Sequence, residues 1–432
     1  MSGPHRGAIH AEVVVIGAGA VGASTAAHLA LIGHQVLVVE KEAEPALHQS
    51  GRNSGVIHAG YNLKPGSLKA TFCVEGSRQL RAFCRDRGIP MEQRGILVLA
   101  RNESESATLT QLHSRAKANG VIARLVNESD IRDIEPHARG VQGLHAPEGA
   151  SFDARAYVRV LLAEAVENGA RVLYNTRVFE VRDPSTEGRT QDTVKLLTSA
   201  GIATCKVAAN CAGLHADRLA GGLAGDLRVI PFRGYYAELV PTRRHLVTSH
   251  VYSVPDLAYP FLGVHMSRCT DGRVIVGPGA MLAFGREAYQ LGKIQVRDLA
   301  TMLTWPGFYR LLVQPGFLTL VRREVLKSLS LKRIWAEAVR LIPALRAEDL
   351  VRSYAGNRAQ VVSRHGELVD DIVVRETPNA IHVLNAVSPG LTCSLPFGKD
   401  LARRCHNRLE GLSPTDEPGR LTRETNQIAR YM

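Results

Sequence analysis

The chain has 432 residues, 45% of them apolar and 22% charged, a balance that excludes a disordered protein. Its 39 Gly and 20 Pro show no Gly-X-Y period, which excludes a collagen-like rod. Lys and Arg total 53 against 41 Asp and Glu, a net charge of +12. That excess is first read as scattered solvated Arg, then as an anionic substrate, an acidic membrane surface or nucleic acid. Aromatic residues are only 5%, so nucleic acid is the weakest of these, and none is expected as a partner.

In chain order, Glu12 to Ile16 reads as a buried parallel strand, followed at once by Gly17-Ala-Gly-Ala-Val-Gly22 and an Ala- and Leu-rich helix ending at Gly33. Residues 35 to 39 form a second buried strand that ends on Glu40, completing a β-α-β unit. A Gly- and Ser-rich loop spans 48 to 60. Helices are predicted over about 67–87, 104–119 and 152–168, with a strand pair near 94–100 and a short acidic turn at 127–135. Residues 206–212 lead into a second Gly turn at Gly213, and 229–283 reads as short alternating strands. Residues 308–345 turn helical and basic, 379–384 is a strand, and 388–404 is a turn followed by a helix. The last 20 residues read as a polar tail.

The seven Cys form no CxxC pair and no zinc spacing, so free thiols in a reducing compartment and no metal are expected. No apolar run reaches the roughly 18 residues of a membrane span, and residues 1–11 lack a secretory signal. The protein is therefore expected in the cytoplasm.

Gly17, Gly19 and Gly22 lie between a strand and a helix, with Glu40 closing the next strand. That context marks a dinucleotide site, with a pyrophosphate at the helix N-terminus and ribose hydroxyls on Glu40. NAD and FAD both fit it. FAD is favoured because the 48–60 loop replaces the expected next β-α-β unit, and because Pro389-Gly390 returns the chain to the same fold.

Longer runs then carry a resemblance. Asn53-Ser-Gly-Val-Ile-His-Ala-Gly60, Lys64 to Ala70, Asn210 to Asp217, Pro231-Phe-Arg-Gly234, Pro260 to His265, Asp271 to Pro278, Leu368 to Asp371 and Asn385 to Pro389 follow one another in family order. With them the chain resembles FAD-dependent oxidoreductases of the glycine/D-amino-acid oxidase type, most of all the L-2-hydroxyglutarate dehydrogenase/oxidase group. It departs from that group's pattern at Arg52, Asn357 and Gly390-Leu391.

The resemblance implies an α/β (α+β mixed) fold: a Rossmann-like FAD-binding domain and a second, mostly antiparallel-sheet substrate domain. The first is expected to comprise 1–90, 148–222 and 350–412, the second 91–147 and 223–349. FAD would be held by Gly17, Gly19, Gly22, Glu40, Lys41, Ser54, Gly55, Val178, Gly213, Pro389, Gly390, Leu391 and Thr392. His58 and His265 are candidates for the base, and Arg233 and Arg358 for gripping a carboxylate through the planar guanidinium fork. Tyr235, Tyr252 and Tyr259 would line the pocket. A covalent flavin link through His58 or Cys393 stays open.

The expected reaction is oxidation of an L-2-hydroxy acid, L-2-hydroxyglutarate to 2-oxoglutarate, with electrons passed to quinone or oxygen. The alternatives are an amino-acid or amine oxidase of the same fold, and a basic flavoprotein that serves as a nucleic-acid-binding or partner subunit. The basic segment 308–346, apolar at Leu331, Trp335, Ala338 and Ile342, is either a helix with a solvated basic face or a peripheral contact with the inner face of an anionic membrane.

Overall fold

The computed structural model describes residues 9–189, 193–257, 263–386 and 388–412. Its first sheet has eight strands, and a parallel series forms its centre. Val36–Val39 lies beside Ile9–Ile16, which lies beside Gly201–Asn210, which pairs in turn with Ala380–Asn385. Val13, Val14, Val15, Val36 and Val38 are buried, as befits strands covered on both faces. Arg171–Leu173 extends one edge, and the antiparallel strands Val178–Arg182 and Val194–Thr198 extend the other.

Helices Ala20–Leu31, Leu68–Asp86, Ala154–Glu167 and Gly390–Leu409 pack around this sheet. Small residues permit their close approach. Ala23, Ala26 and Ala27 sit in the core with Leu161, Phe397 and Leu401. A Cβ on Gly398 would fall 2.3 Å from Ser24 Oγ, so the first and last helices meet almost backbone to backbone.

The second sheet has nine strands, antiparallel except where His250–Ser253 runs beside Ile96–Ala100. Its longest pairing joins Leu227–Leu239 to Leu350–Ser363. Residues 350–363, expected with the cofactor segments, thus pair in the second sheet, because their partner strand lies there. The expected acidic turn at 127–135 is instead a short helix, Glu128–Ile134, whose Asn127 side chain accepts from the Ser129 and Asp130 amides. Three further helices, Val296–Leu303, Pro306–Leu312 and Phe317–Leu329, cover Ile230, Phe232 and Val362 with Met302, Phe308, Leu311 and Phe317.

Candidate active site

A cavity of about 710 Å³ lies between the two sheets, lined by both. From the first sheet and its turns come Gly17, Gly19, Glu40, Lys41, Val178 and Gly213. From the second come Gly234, Tyr236, His265 and Arg358. Ser54 and His58 enter from the Gly/Ser loop, and Pro389, Gly390, Leu391 and Thr392 from the start of the last helix.

The turn after the first strand has the shape that a pyrophosphate requires. Gly17 has φ +101°, and a Cβ on Gly22 would sit 1.9 Å from the Gly17 carbonyl oxygen. The helix Ala20–Leu31 therefore begins against the turn and points its positive end into the cavity. Glu40 accepts from the Ala18 amide at 2.7 Å and the Glu42 amide at 3.0 Å, so the acid that closes the second strand also fixes the turn. Lys41 Nζ lies 2.8 Å from Glu287 Oε1 and 2.6 Å from His48 Nε2. Burial alone would raise the Glu287 carboxyl, yet His215 and Lys41 hold it well below the usual carboxylate range.

Two of the expected cofactor residues act behind the wall. Gly22 permits the helix contact. Gly55, at φ +61°, donates its amide to Asn53 Oδ1 at 2.8 Å and turns the loop that presents Ser54.

His58 and His265 both line the cavity. The His58 amide donates to Thr392 Oγ1 at 3.1 Å, which ties the loop to the last helix. His265 Nδ1 is 3.1 Å from the Gly263 carbonyl. A carbonyl only accepts, so Nδ1 carries the proton and Nε2 holds the lone pair. The ring stacks on Tyr252, with centroids 4.2 Å apart. Burial pulls His58 down to about 4 and His265 down to about 3, so both are neutral at neutral pH. His250 lies fully buried across from Ser267. Burial lowers it to about 3, helped by the nearby His58 and His265.

The two arginines separate. Arg358 reaches the cavity, with Nη1 donating to the Gly279 carbonyl at 3.1 Å. Arg233 is fully buried, outside the cavity wall. Its Nη1 donates to the carbonyls of Ala288 (2.9 Å) and Gln290. Residues 227–239 form a strand rather than a turn, so neighbours alternate in direction: Gly234 and Tyr236 line the cavity while Arg233 and Tyr235 do not. The expected contact of Arg233 with a ligand carboxylate is therefore replaced by a structural one. Tyr252 supports His265 from behind without lining the cavity, and Tyr259 lies outside the described residues.

Tyr236, Asn357 and Glu287 line the site without having been expected there. Tyr236 stacks on Tyr354 at 4.7 Å, and burial pushes its hydroxyl up to about 12. Strand alternation around Gly234 would have found Tyr236. Nothing local marks Glu287, whose partners lie more than 70 residues away. Arg52 is spent on structure: Nε donates to the Leu47 carbonyl at 3.0 Å, and the guanidinium lies 4.2 Å over the Tyr289 ring. Cys393 is buried, and burial together with neighbouring Cys73 raises its thiol well above the usual range.

The sequence profile of the FAD-dependent oxidoreductase family matches residues 12–404. The chain belongs to that family. FAD is its cofactor, and the glycine turn, Glu40 and the stretch 389–392 form a cradle of the right chemistry for it. Among curated relatives, this flavoenzyme is 37% identical to the L-2-hydroxyglutarate dehydrogenase of Indibacter alkaliphilus, over 90% of this chain and 96% of that one. It is 34% identical to the enzyme of the same name from Escherichia coli K12, over 96% and 97%. It is 36% identical to the mitochondrial L-2-hydroxyglutarate dehydrogenase of Bos taurus, over 92% and 89%. In fold it is similar to an L-alpha-glycerophosphate oxidase from Mycoplasma pneumoniae, with a TM-score of 0.73 at 24% identity over 95% of this chain and 97% of that one. A glycine oxidase from Geobacillus kaustophilus gives 0.69 at 17%, with 95% and 97% covered.

Proposed function

We propose that this flavoenzyme oxidises L-2-hydroxyglutarate to 2-oxoglutarate. The observation that carries the reading is a cavity in which one buried cation, Arg358, and two neutral imidazoles share the wall with the nucleotide turn. Arg358 would hold the carboxylate beside C2 through its planar fork. His265 Nε2 would take the hydroxyl proton, with the Gly263 carbonyl fixing the tautomer and Tyr252 fixing the ring plane. His58, held by Thr392, would hydrogen-bond the same oxygen. Bound FAD supplies the acceptor for the hydride that leaves C2. The entering carboxylate helps the base, because a nearby anion favours imidazolium and so raises a histidine that burial has lowered.

Electrons would pass on to a quinone or to oxygen. The enzyme would work in the cytoplasm, with a peripheral contact at the inner face of a membrane. No helix among the described residues is long and apolar enough to cross one.

A dye-linked assay with product analysis tests the substrate. The expected result is 2-oxoglutarate from the L-enantiomer, with the D-enantiomer inert. Ammonia released from an L-amino acid at a higher kcat/KM would move the assignment to amine oxidation.

A further inference from the structure

One region of the surface is unlike the rest. Nine of the 18 large apolar side chains exposed on the described residues fall within 284–329. Val296 and Val313 are 78% and 77% exposed, and Leu318 is 59% exposed. The helices Val296–Leu303, Pro306–Leu312 and Phe317–Leu329 seat their inner faces on one core cluster with Ile230, Phe232 and Val362. Their outer faces therefore look away from the same sheet. Leu303 follows Val296 by seven residues and Val313 follows Tyr309 by four. Leu318, Arg322 and Leu329 likewise share one helix face.

The charge on this surface has one sign. Lys293, Arg310, Arg322, Arg323, Lys332 and Arg333 are exposed. From 288 to 336 there are two acids, Asp298 and Glu324, and both are buried. Asp298 pairs with Arg218 at 2.6 Å, and Glu324 pairs with Lys327 at 2.7 Å and accepts from the Ala280 amide at 2.9 Å. The outward surface thus presents apolar side chains and cations with no exposed acid among them.

We infer that the outer face of residues 291–333 docks on a bilayer surface rich in anionic lipid. The inference rests on the peripheral contact proposed above and gives that contact its place on the molecule. Charge complementarity selects the occupant. Two copies of this chain paired over the face would set cations against cations. Nucleic acid would satisfy the cations but leave Val296, Val313 and Leu318 without a partner, and Tyr309 is the one exposed aromatic ring on these three helices. An anionic leaflet satisfies both features, with headgroups for the cations and the acyl boundary for the apolar side chains. The same helix that carries Leu318 and Arg322 outward carries Glu324 inward, where its charge acts on Arg358.

Co-sedimentation of the full-length holoenzyme with vesicles tests this. One vesicle set is phosphatidylcholine alone, the other phosphatidylcholine with phosphatidylglycerol, both at about 0.1 M salt. Arg322→Glu with Lys332→Glu probes the charges, and Val313→Ser with Leu318→Ser probes the apolar contact. None of these four residues lines the cavity, so dye-linked turnover in solution should be unchanged. The expected result is at least tenfold stronger binding to the anionic vesicles. It should weaken roughly fivefold or more for each cation lost, and severalfold in the serine pair. Equal retention on both vesicle types overturns the inference, as does anionic binding that the serine pair leaves intact, which would be surface electrostatics alone. Binding to an oligonucleotide or a monomer–dimer equilibrium, without vesicle binding, overturns it too. Turnover of L-2-hydroxyglutarate with no vesicle binding would sink this inference and leave the substrate assignment standing.

Discussion

His265 combines a fixed tautomer with a lowered proton affinity, and that combination sets a pH signature. The acid limb of kcat/KM belongs to the free enzyme, whose cavity histidines sit at about 4 and about 3. The profile of kcat/KM should therefore stay level from about pH 8 down to about pH 5, while kcat, read with the carboxylate bound, should fall at a higher pH. An acid limb near pH 6.5 in kcat/KM would show that an ordinary, solvated histidine is the base. Replacing His265 with Gln should lower kcat by about 10²–10⁴-fold, measured as the rate of anaerobic flavin bleaching.

The two arginines offer a second contrast. Arg358→Met should lower kcat/KM by roughly 10- to 150-fold, the worth of a charge-assisted hydrogen bond. Arg233→Met should mainly lower the melting temperature, because its guanidinium holds the 288–290 loop. The sequence placed both histidines correctly at the wall, since the 53–60 and 260–265 runs carry their local setting. It misplaced Arg233 because a strand reverses its side chains at every residue. Which face looks inward was decided by a pairing of Arg233 with Asn357, over a hundred positions away.

At the scale of elements, the strand, glycine turn and first helix were legible because their logic is local. Gly22→Ala would force a Cβ to within 1.9 Å of a backbone oxygen. The variant should be isolated without flavin absorbance, whereas Gly222→Ala, which meets nothing within 4 Å, should stay yellow. The clamp between the 213–217 turn and the 284–290 loop was not legible. Arg286 and Asp217 are both buried and pair with each other, and Asp217 also accepts from the Val229 amide at 3.1 Å. No motif marks such a pair, because its partners lie 69 residues apart. Arg286→Met should cost about 3–5 kcal/mol in a denaturant titration, since it strands the Asp217 charge in the interior.

Over the whole molecule, two sheets enclose one cavity, and the chain crosses between them several times. The discontinuous plan was readable from where the motifs return, but the home of 350–363 was not, because its partner strand decides it. The buried histidines also give the molecule a collective response to acid. Their folded values lie far below 6.5, so below about pH 6.5 the unfolded chain binds more protons than the folded one. Stability is then complete above that pH and is lost on acidification toward about pH 4, by up to about 1.4 kcal/mol per pH unit for each such group. The melting temperature should fall between about pH 7 and about pH 5, and His250→Gln should make that slope shallower.

The substrate assignment is tested most directly by anaerobic titration of the purified holoenzyme, following the flavin band near about 450 nm. L-2-hydroxyglutarate should bleach it rapidly and stoichiometrically, while D-2-hydroxyglutarate and L-glutamate leave it unchanged. Bleaching by L-glutamate or another amino acid, with L-2-hydroxyglutarate inert, would contradict the account.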